Sequence, residues 1–234
     1  MEVLDFSQGN SFDGKIDFED QEEDYQKYVE FSKEKNFYLI TESKEMDYDM
    51  SCVLTNVHWG QLKLFLSEFF TFVYHIDKDI DTVLYIGAAN GSHIYVLAKF
   101  FSNITFHLYD TERFDKRLFS MRNVKIYKRY FTEEDIKQWK KRENFFLISD
   151  VRTLSYNPDS ETDDVRIKNE MSVWGDMKLQ ESWIETLKPS VSLIKFRLPF
   201  AYDFILKEGK TRKYLNGDVC YQVYNKPTSS ETRL

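Results

Sequence analysis

Apolar residues in this chain follow two spacings in alternation. A short continuous run at Val83–Ile86, and further strand-length segments at Ile104–Tyr109, Val124–Tyr127, Phe145–Ser149 and Ser192–Leu198, are rich in β-branched and aromatic residues. Such runs suit strands of a parallel sheet buried on both faces. Between them the apolar positions recur at helical spacing. Trp59–Ile76 carries Leu62, Phe65, Leu66, Phe69, Phe70, Phe72 and Val73 and predicts a helix that is largely buried. Ile94, Leu97, Ala98 and Phe101 predict a second helix, opened by Ser92 as its cap. A third follows Thr132, with Glu133, Glu134 and Asp135 in its first turn and Lys140, Lys141 and Arg142 in its last. That charge order suits the helix dipole and needs no ligand to explain it. A fourth spans about Met171–Leu187, closed by Pro189, and a last strand is expected at Val219–Tyr224 before a turn at Asn225–Ser230. Strands alternating with helices predict an α/β fold with helices on both faces of the sheet.

The stretch Asp81–Gly91 organises the rest. Gly87 and Gly91 bracket a tight turn between a strand and a helix N-terminus, a cradle in which a ligand can approach the backbone. The turn lacks the glycine spacing of dinucleotide binders and the Lys-Ser/Thr of a P-loop, which disfavours a nicotinamide oxidoreductase. Asp110 ends the second strand, 19 residues after Gly91. An acid at that place either accepts hydrogen bonds from ribose hydroxyls or caps its own turn. Asp150 ends the fourth strand, so two carboxylates follow strands that converge on the glycine turn. Lys195 and Arg197 interrupt the fifth strand on one face, the mark of an edge strand or of a lysine held at the active edge. On the first helix, Lys63, Ser67 and Thr71 form a polar stripe. Lys63 in a first turn opposes the dipole, so it is either a solvated side chain or a functional one. Arg152–Asp164, with Pro158, reads as a polar, mobile loop.

Composition narrows the setting. Apolar content of 42%, with 17% aromatic, is globular. Cys52 and Cys220 make neither a disulfide framework nor a zinc pair, so a reducing compartment and no metal are expected. No signal peptide opens the sequence and no apolar run approaches the roughly 18 residues of a membrane span, so a soluble intracellular protein with no membrane partner is expected. The net charge of −7 is uneven: residues 1–50 hold 15 Asp/Glu against 5 Lys/Arg, and the rest hold 24 against 27. The first 50 residues read as a partly ordered acidic arm, and 51–234 as one α/β domain with no linker or repeat. The mildly basic body is compatible with a short nucleic acid but offers no argument for strong nonspecific binding. Within the arm, Tyr48 lies between Asp47 and Asp49, an aromatic in an acidic setting.

Lys63, Asp150, Lys195 and Glu231 each stand near the end of an element at the top of the predicted sheet. Their surroundings, Gly60-Gln-Leu-Lys-Leu64, Tyr85-Ile-Gly-Ala-Ala-Asn-Gly-Ser-His93, Ile148-Ser-Asp-Val-Arg152, Leu193-Ile-Lys-Phe-Arg-Leu-Pro-Phe200 and Ser229-Ser-Glu-Thr-Arg-Leu234, resemble the poxvirus family of cap-specific mRNA (nucleoside-2′-O)-methyltransferases. Members of that family also serve as the small regulatory subunit of the viral poly(A) polymerase. The resemblance runs in order from about Tyr48 to the end. It implies a Rossmann-like sheet that binds S-adenosylmethionine (AdoMet) and methylates the ribose 2′-hydroxyl of the first transcribed nucleotide of capped mRNA. The Lys63–Asp150–Lys195–Glu231 set would be catalytic. Tyr85, Gly87, Gly91, His93, Asp110, Asp150 and Arg152 would hold the cofactor. Phe200 would form half of an aromatic sandwich around the methylated guanine, with Tyr48 as candidate for the other half and Asp203 as the nearby carboxylate. Implied partners are the capped 5′ end and a poly(A) polymerase catalytic subunit or viral transcription machinery, in host cytoplasm or virion. A noncatalytic RNA-binding or processivity subunit is the alternative.

Methyl transfer to a 2′-hydroxyl needs a proton acceptor, and a lysine with its ordinary pKa of about 10.4 is a poor one near neutrality. Burial and neighbouring cations lower that value, so Lys195 is expected to act as base with Lys63 beside it. Three departures from the family stand out. Asn90 replaces a proline in the glycine turn, with a looser turn expected. Glu112 replaces a basic residue, which puts cofactor contacts after Asp110 in question. The sequence ends at Leu234, where the family continues, so contacts from that continuation are expected to be lacking.

Overall fold

The computed structural model describes residues 37–38, 57–75, 79–153, 163–197, 212–218, 220 and 231–234. Chain order runs β1 (Phe37–Tyr38), α1 (Val57–Tyr74), β2 (Thr82–Ile86), α2 (Ser92–Phe100), β3 (Thr105–Tyr109), a 3₁₀ turn at Lys116–Ser120 and β4 (Val124–Tyr127). It continues with α3 (Glu133–Trp139), β5 (Phe145–Ser149), α4 (Asp163–Leu187), β6 (Val191–Phe196), β7 (Arg212–Lys213) and β8 (Thr232–Arg233). Six strands form one sheet in the order β4-β3-β2-β5-β6-β8, while β1 and β7 pair separately. The pairs β2–β3, β3–β4, β2–β5 and β5–β6 are parallel, and β8 runs antiparallel to β6.

Strand alternation splits the core in two, as the period-2 rule requires. Leu84, Ile86, Phe145, Leu147, Ile194 and Phe196 face α3 and α4, packing with Trp139, Val173, Met177 and Leu187. Val83, Tyr85, Phe106, Phe146, Ile148 and Leu193 face α1 and α2, packing with Phe72, Ile94 and Leu97. Helices therefore cover both faces, and the architecture is Rossmann-like. The chain leaves β2 toward β3 and β4, then returns to β5 on the other flank of β2. That reversal creates the crevice at strand C-termini where open α/β sheets bind ligands.

Several expectations are corrected. α1 begins at Val57, so Lys63 lies in its second turn and the mismatch with the helix dipole is slight. Leu62, Val73 and Tyr74 are exposed, so α1 lies across the sheet half-buried instead of sinking into the core. Ser92 is the first helical residue of α2, and Gly91, in the left-handed conformation, is the cap. α4 starts eight residues ahead of Met171. Its apolar period is broken at buried Glu170, which receives a hydrogen bond from Arg197 Nη2 at 2.5 Å, so the hydrophobic pattern conceals this turn. Lys140–Arg142 follow α3 instead of ending it, and Arg142 Nη2 sits 3.3 Å from Asp81 Oδ1. β6 is no edge: β8 covers it. Of the strand expected at Val219–Tyr224 only Cys220 is described, bridged to Arg233. The turn at Asn225–Ser230 and most of the loop after Arg152 lie outside the described residues.

Asp135 shows how α3 is fixed. Its carboxylate accepts from Thr132 N (2.9 Å) and Oγ1 (2.8 Å), from Arg129 Nη1 (2.5 Å) and Nη2 (2.8 Å), and from Tyr109 Oη (3.2 Å). The Arg129 hydrogen bonds outweigh burial and hold the carboxyl down to about 2. A depressed carboxyl contributes stability above its unfolded value and loses it as pH falls through the folded one. Asp135→Asn should thus cost roughly 1–2 kcal/mol at neutral pH. Urea midpoints should show the gap to wild type closing between about pH 4 and 2. A gap that is constant over that range would mean the residue matters only for packing.

Candidate active site

The turn after β2 is built by its backbone. Gly87 N and Ala88 N donate to Tyr109 O at 2.9 and 3.3 Å, and Ala89 N donates to Asp110 Oδ2 at 2.6 Å. Gly87, Ala89 and Gly91 all have positive φ, at 81°, 46° and 68°. At Gly87 a side chain is excluded twice over, because a Cβ there would stand 3.0 Å from Asp150 C and 3.1 Å from Val151 N. This close approach joins the glycine turn to the end of β5. Asn90 ties the turn down: its Nδ2 donates to Arg113 O (3.1 Å) and its carbonyl accepts from Asp115 N (2.8 Å). Asp110 also accepts from Glu112 N at 2.8 Å, so it caps its own turn. Each carboxylate oxygen retains a further lone pair for a ligand.

Five ionic side chains meet at the open end of β5, β6 and β8. Lys195 shares a sheet face with Leu193 and Tyr85, the face covered by α1, and that is how it meets Lys63. Lys195 Nζ lies 3.2 Å from Asp150 Oδ1 and 3.4 Å from Glu231 Oε2, and Lys63 Nζ lies 3.6 Å from Glu231 Oε1. Arg233, directly across from Lys195 in the β6–β8 register, brings Nη2 to 2.9 Å from Asp150 Oδ1, an off-axis ion contact. Like charges opposite one another across two strands repel. Here Asp150 touches both. Burial alone would raise the Asp150 carboxyl, but Arg233 and then Lys195 outweigh it and hold it below the usual range. Glu231 is likewise held down, by Lys195, Arg233 and Lys63 against its burial. Burial lowers the Lys63 ammonium, with Arg233 and Lys195 adding to that and Glu231 opposing it. Arg233 is 3% exposed. Paired hydrogen bonds between Leu234 and Ile194 on one side, and Arg233 and Cys220 on the other, lock this two-residue strand in place.

Beside this cluster, Tyr85 donates to Glu68 Oε1 at 2.6 Å, and His93 Nε2 lies 3.3 Å from the same oxygen. His93 Nδ1 is 2.9 Å from Gln61 Oε1, which also accepts from Ser92 Oγ at 2.7 Å. Arg152 follows Asp150 on a segment pinned to α4, where Thr153 N and Oγ1 donate to Asp176. The sequence-predicted residues Lys63, Tyr85, Gly87, Gly91, His93, Asp110, Asp150, Arg152, Lys195 and Glu231 thus stand at the C-terminal edge of the sheet. Tyr48, Phe200 and Asp203 lie outside the described residues. Sequence reasoning passed over Arg233, Glu68 and Gln61. Arg233 shares a face with Glu231 by strand period, and Gln61 and Glu68 share one by helix period. A carboxylate inside an aromatic helix was the available signal.

The sheet order, the glycine turn at the switch point and the half-buried lysine–carboxylate cluster define a Rossmann-like fold of the methyltransferase class. Residues 32–234 match the model of the family described as poly A polymerase regulatory subunit, and the chain belongs to that family. It is similar to the cap-specific mRNA (nucleoside-2′-O-)-methyltransferase of Myxoma virus (strain Lausanne), at 30% identity over 219 residues covering 87% of this chain and 61% of the relative. The protein of the same name from Fowlpox virus (strain NVSL) is 30% identical over 224 residues, covering 89% of this chain and 68% of the relative. The chain therefore spans about three-fifths of the length of its Myxoma relatives.

Proposed function

We propose that this chain methylates the ribose 2′-hydroxyl of the first transcribed nucleotide of capped mRNA. One observation carries the reading: Lys195 sits between two half-buried carboxylates, 3.2 Å from Asp150 and 3.4 Å from Glu231, next to a glycine turn at the switch point. AdoMet, when bound, supplies the methyl group. Its fit is supported by the cradle at Gly87, where any side chain would strike the Asp150 backbone. Gly87 and Gly91 would lie under the cofactor, with Tyr85, His93 and Arg152 close by, and Asp110 would accept from the ribose hydroxyls. In the reaction Lys195 receives the proton of the 2′-hydroxyl, Asp150 and Glu231 hold its head in place, and Lys63 adds positive charge from α1. Positioning of the hydroxyl supplies much of the remaining acceleration. Phe200, Tyr48 and Asp203 are assigned to the cap guanine. The site of action is host cytoplasm or virion.

The deciding experiment is transfer of labelled methyl from AdoMet to short capped RNA, with and without N7 methylation of the guanine. Transfer restricted to the N7-methylated cap is expected. A second reading is a noncatalytic processivity subunit of a poly(A) polymerase, favoured by the family's description. It requires stimulation of a polymerase catalytic subunit by a protein that transfers no methyl group. The cofactor assignment has its own check. Asp110→Asn keeps an acceptor for Ala89 N but removes the charge and the acceptor for Glu112 N, and should weaken AdoMet by roughly 1–3 kcal/mol in calorimetry. Unchanged affinity would leave Asp110 as a turn cap.

A further inference from the structure

Glu68 joins Tyr85 and His93 in a buried polar knot, and the proposed reaction gives Glu68 itself no part. Glu68 is 1% exposed, within the aromatic run of α1. A carboxylate at that depth is costly unless charges and hydrogen bonds surround it. It accepts a hydrogen bond from the Tyr85 hydroxyl at 2.6 Å, and His93 Nε2 lies 3.2 Å from its second oxygen. The charge balance of this edge shows what it adds. Among the side chains in direct ion contact, Lys63, Lys195 and Arg233 bring three positive charges, against which Asp150 and Glu231 bring two negative ones, and Arg152 adds a further cation nearby. Glu68 is the third anion, and Arg233 feels it along with Asp150, Glu231 and Tyr85. The short contact also commits the single proton of Tyr85 to Glu68, so the phenol oxygen has only lone pairs left to offer. Tyr85 precedes Gly87 by two residues, and both Asp150 and Arg233 act on its hydroxyl. A buried carboxylate is therefore tied, through a hydroxyl that also lies 3.4 Å from His93 Nε2, to the strand residue two positions ahead of Gly87.

We propose that Glu68, acting through Tyr85, makes this crevice discriminate by charge, favouring the positively charged sulfonium of the methyl donor over the neutral thioether left after transfer. The inference rests on the methyl-donor reading above. In a dry interior the field of a carboxylate carries further than in water, and it stabilises a cation while giving nothing to an uncharged sulfur. Glu68 is a positioning residue, since it acts through another side chain. Its signature is a ratio of affinities and not an overall loss. The same ratio favours release of the spent cofactor.

The test is calorimetric titration of wild type and Glu68→Gln with three ligands: AdoMet, its neutral product S-adenosylhomocysteine, and sinefungin, in which a charged amine replaces the sulfonium methyl. Glutamine keeps the shape and the acceptor for Tyr85, removes the charge and turns the oxygen that faces His93 into an amide nitrogen. Folding of each variant is checked first by circular dichroism. AdoMet and sinefungin should each weaken roughly 5-fold or more, and the neutral product less than about 2-fold. Equal losses for all three, or no loss, overturn the inference while leaving the methyl-donor reading intact. A wild-type protein that binds none of the three overturns both. Should Glu68→Gln fail to fold, Tyr85→Phe carries the same test, because it keeps the buried ring and deletes the relaying oxygen. An unchanged ratio in that variant is likewise fatal.

Discussion

Lys195→Met is expected to lower methyl transfer to capped RNA by roughly 10²–10⁴-fold, the usual contribution of a positioned acid–base group. The fold and AdoMet binding should survive. Methionine keeps the length and the apolar stem, and β6 remains paired on both sides. The charges left behind remain matched: Asp150 retains Arg233 at 2.9 Å, and Glu231 retains Lys63 at 3.6 Å. Lys195→Arg should fail by a similar factor, since a guanidinium does not release its proton in this range. Its charge would satisfy Asp150, so the comparison separates proton transfer from charge balance. Single-turnover transfer with saturating AdoMet is the measurement. A folded Lys195→Met protein that transfers methyl at near wild-type rate would remove Lys195 from the chemistry.

Much of the frame was legible in the sequence because burial writes a simple pattern. The segments at Val124–Tyr127 and Phe145–Ser149 have the predicted bounds, and the other strands of the parallel core overlap their predicted segments. Polar substitution inside buried elements was not legible. Glu170 and Glu68 sit where the hydrophobic period asks for apolar residues, and only their tertiary partners, Arg197 in one case and Tyr85 with His93 in the other, make those positions tolerable. The role of β8 was hidden for a related reason. Two residues carry no period, and their placement depends on hydrogen bonds to Ile194 and Cys220 far away in sequence. For Asp110 the sequence left two readings. The contacts to Ala89 and Glu112 account for the turn without excluding a ligand.

Arg233→Met should be the most destabilising single change at the site. Arg233 is 3% exposed, and its charge does most to hold the Asp150 carboxyl down against burial. Removing one partner of a buried ion pair leaves the other desolvated, at a cost of about 3–5 kcal/mol. The low end is expected here, because Lys195 remains 3.2 Å from Asp150 Oδ1. The effect should depend on pH in a defined direction. In wild type the folded Asp150 carboxyl lies below its unfolded value, so it contributes stability at neutral pH that is lost as pH falls through the folded value. The variant has surrendered most of that contribution already. The difference in urea midpoint between the two proteins should thus be largest at neutral pH and shrink below about pH 4. Adding Asp150→Asn to Arg233→Met should recover part of the loss, since the orphaned charge is then gone, and the two changes should be strongly non-additive. Additive losses, or a midpoint difference constant from neutral pH to pH 3, would show that Arg233 supports the fold by packing alone.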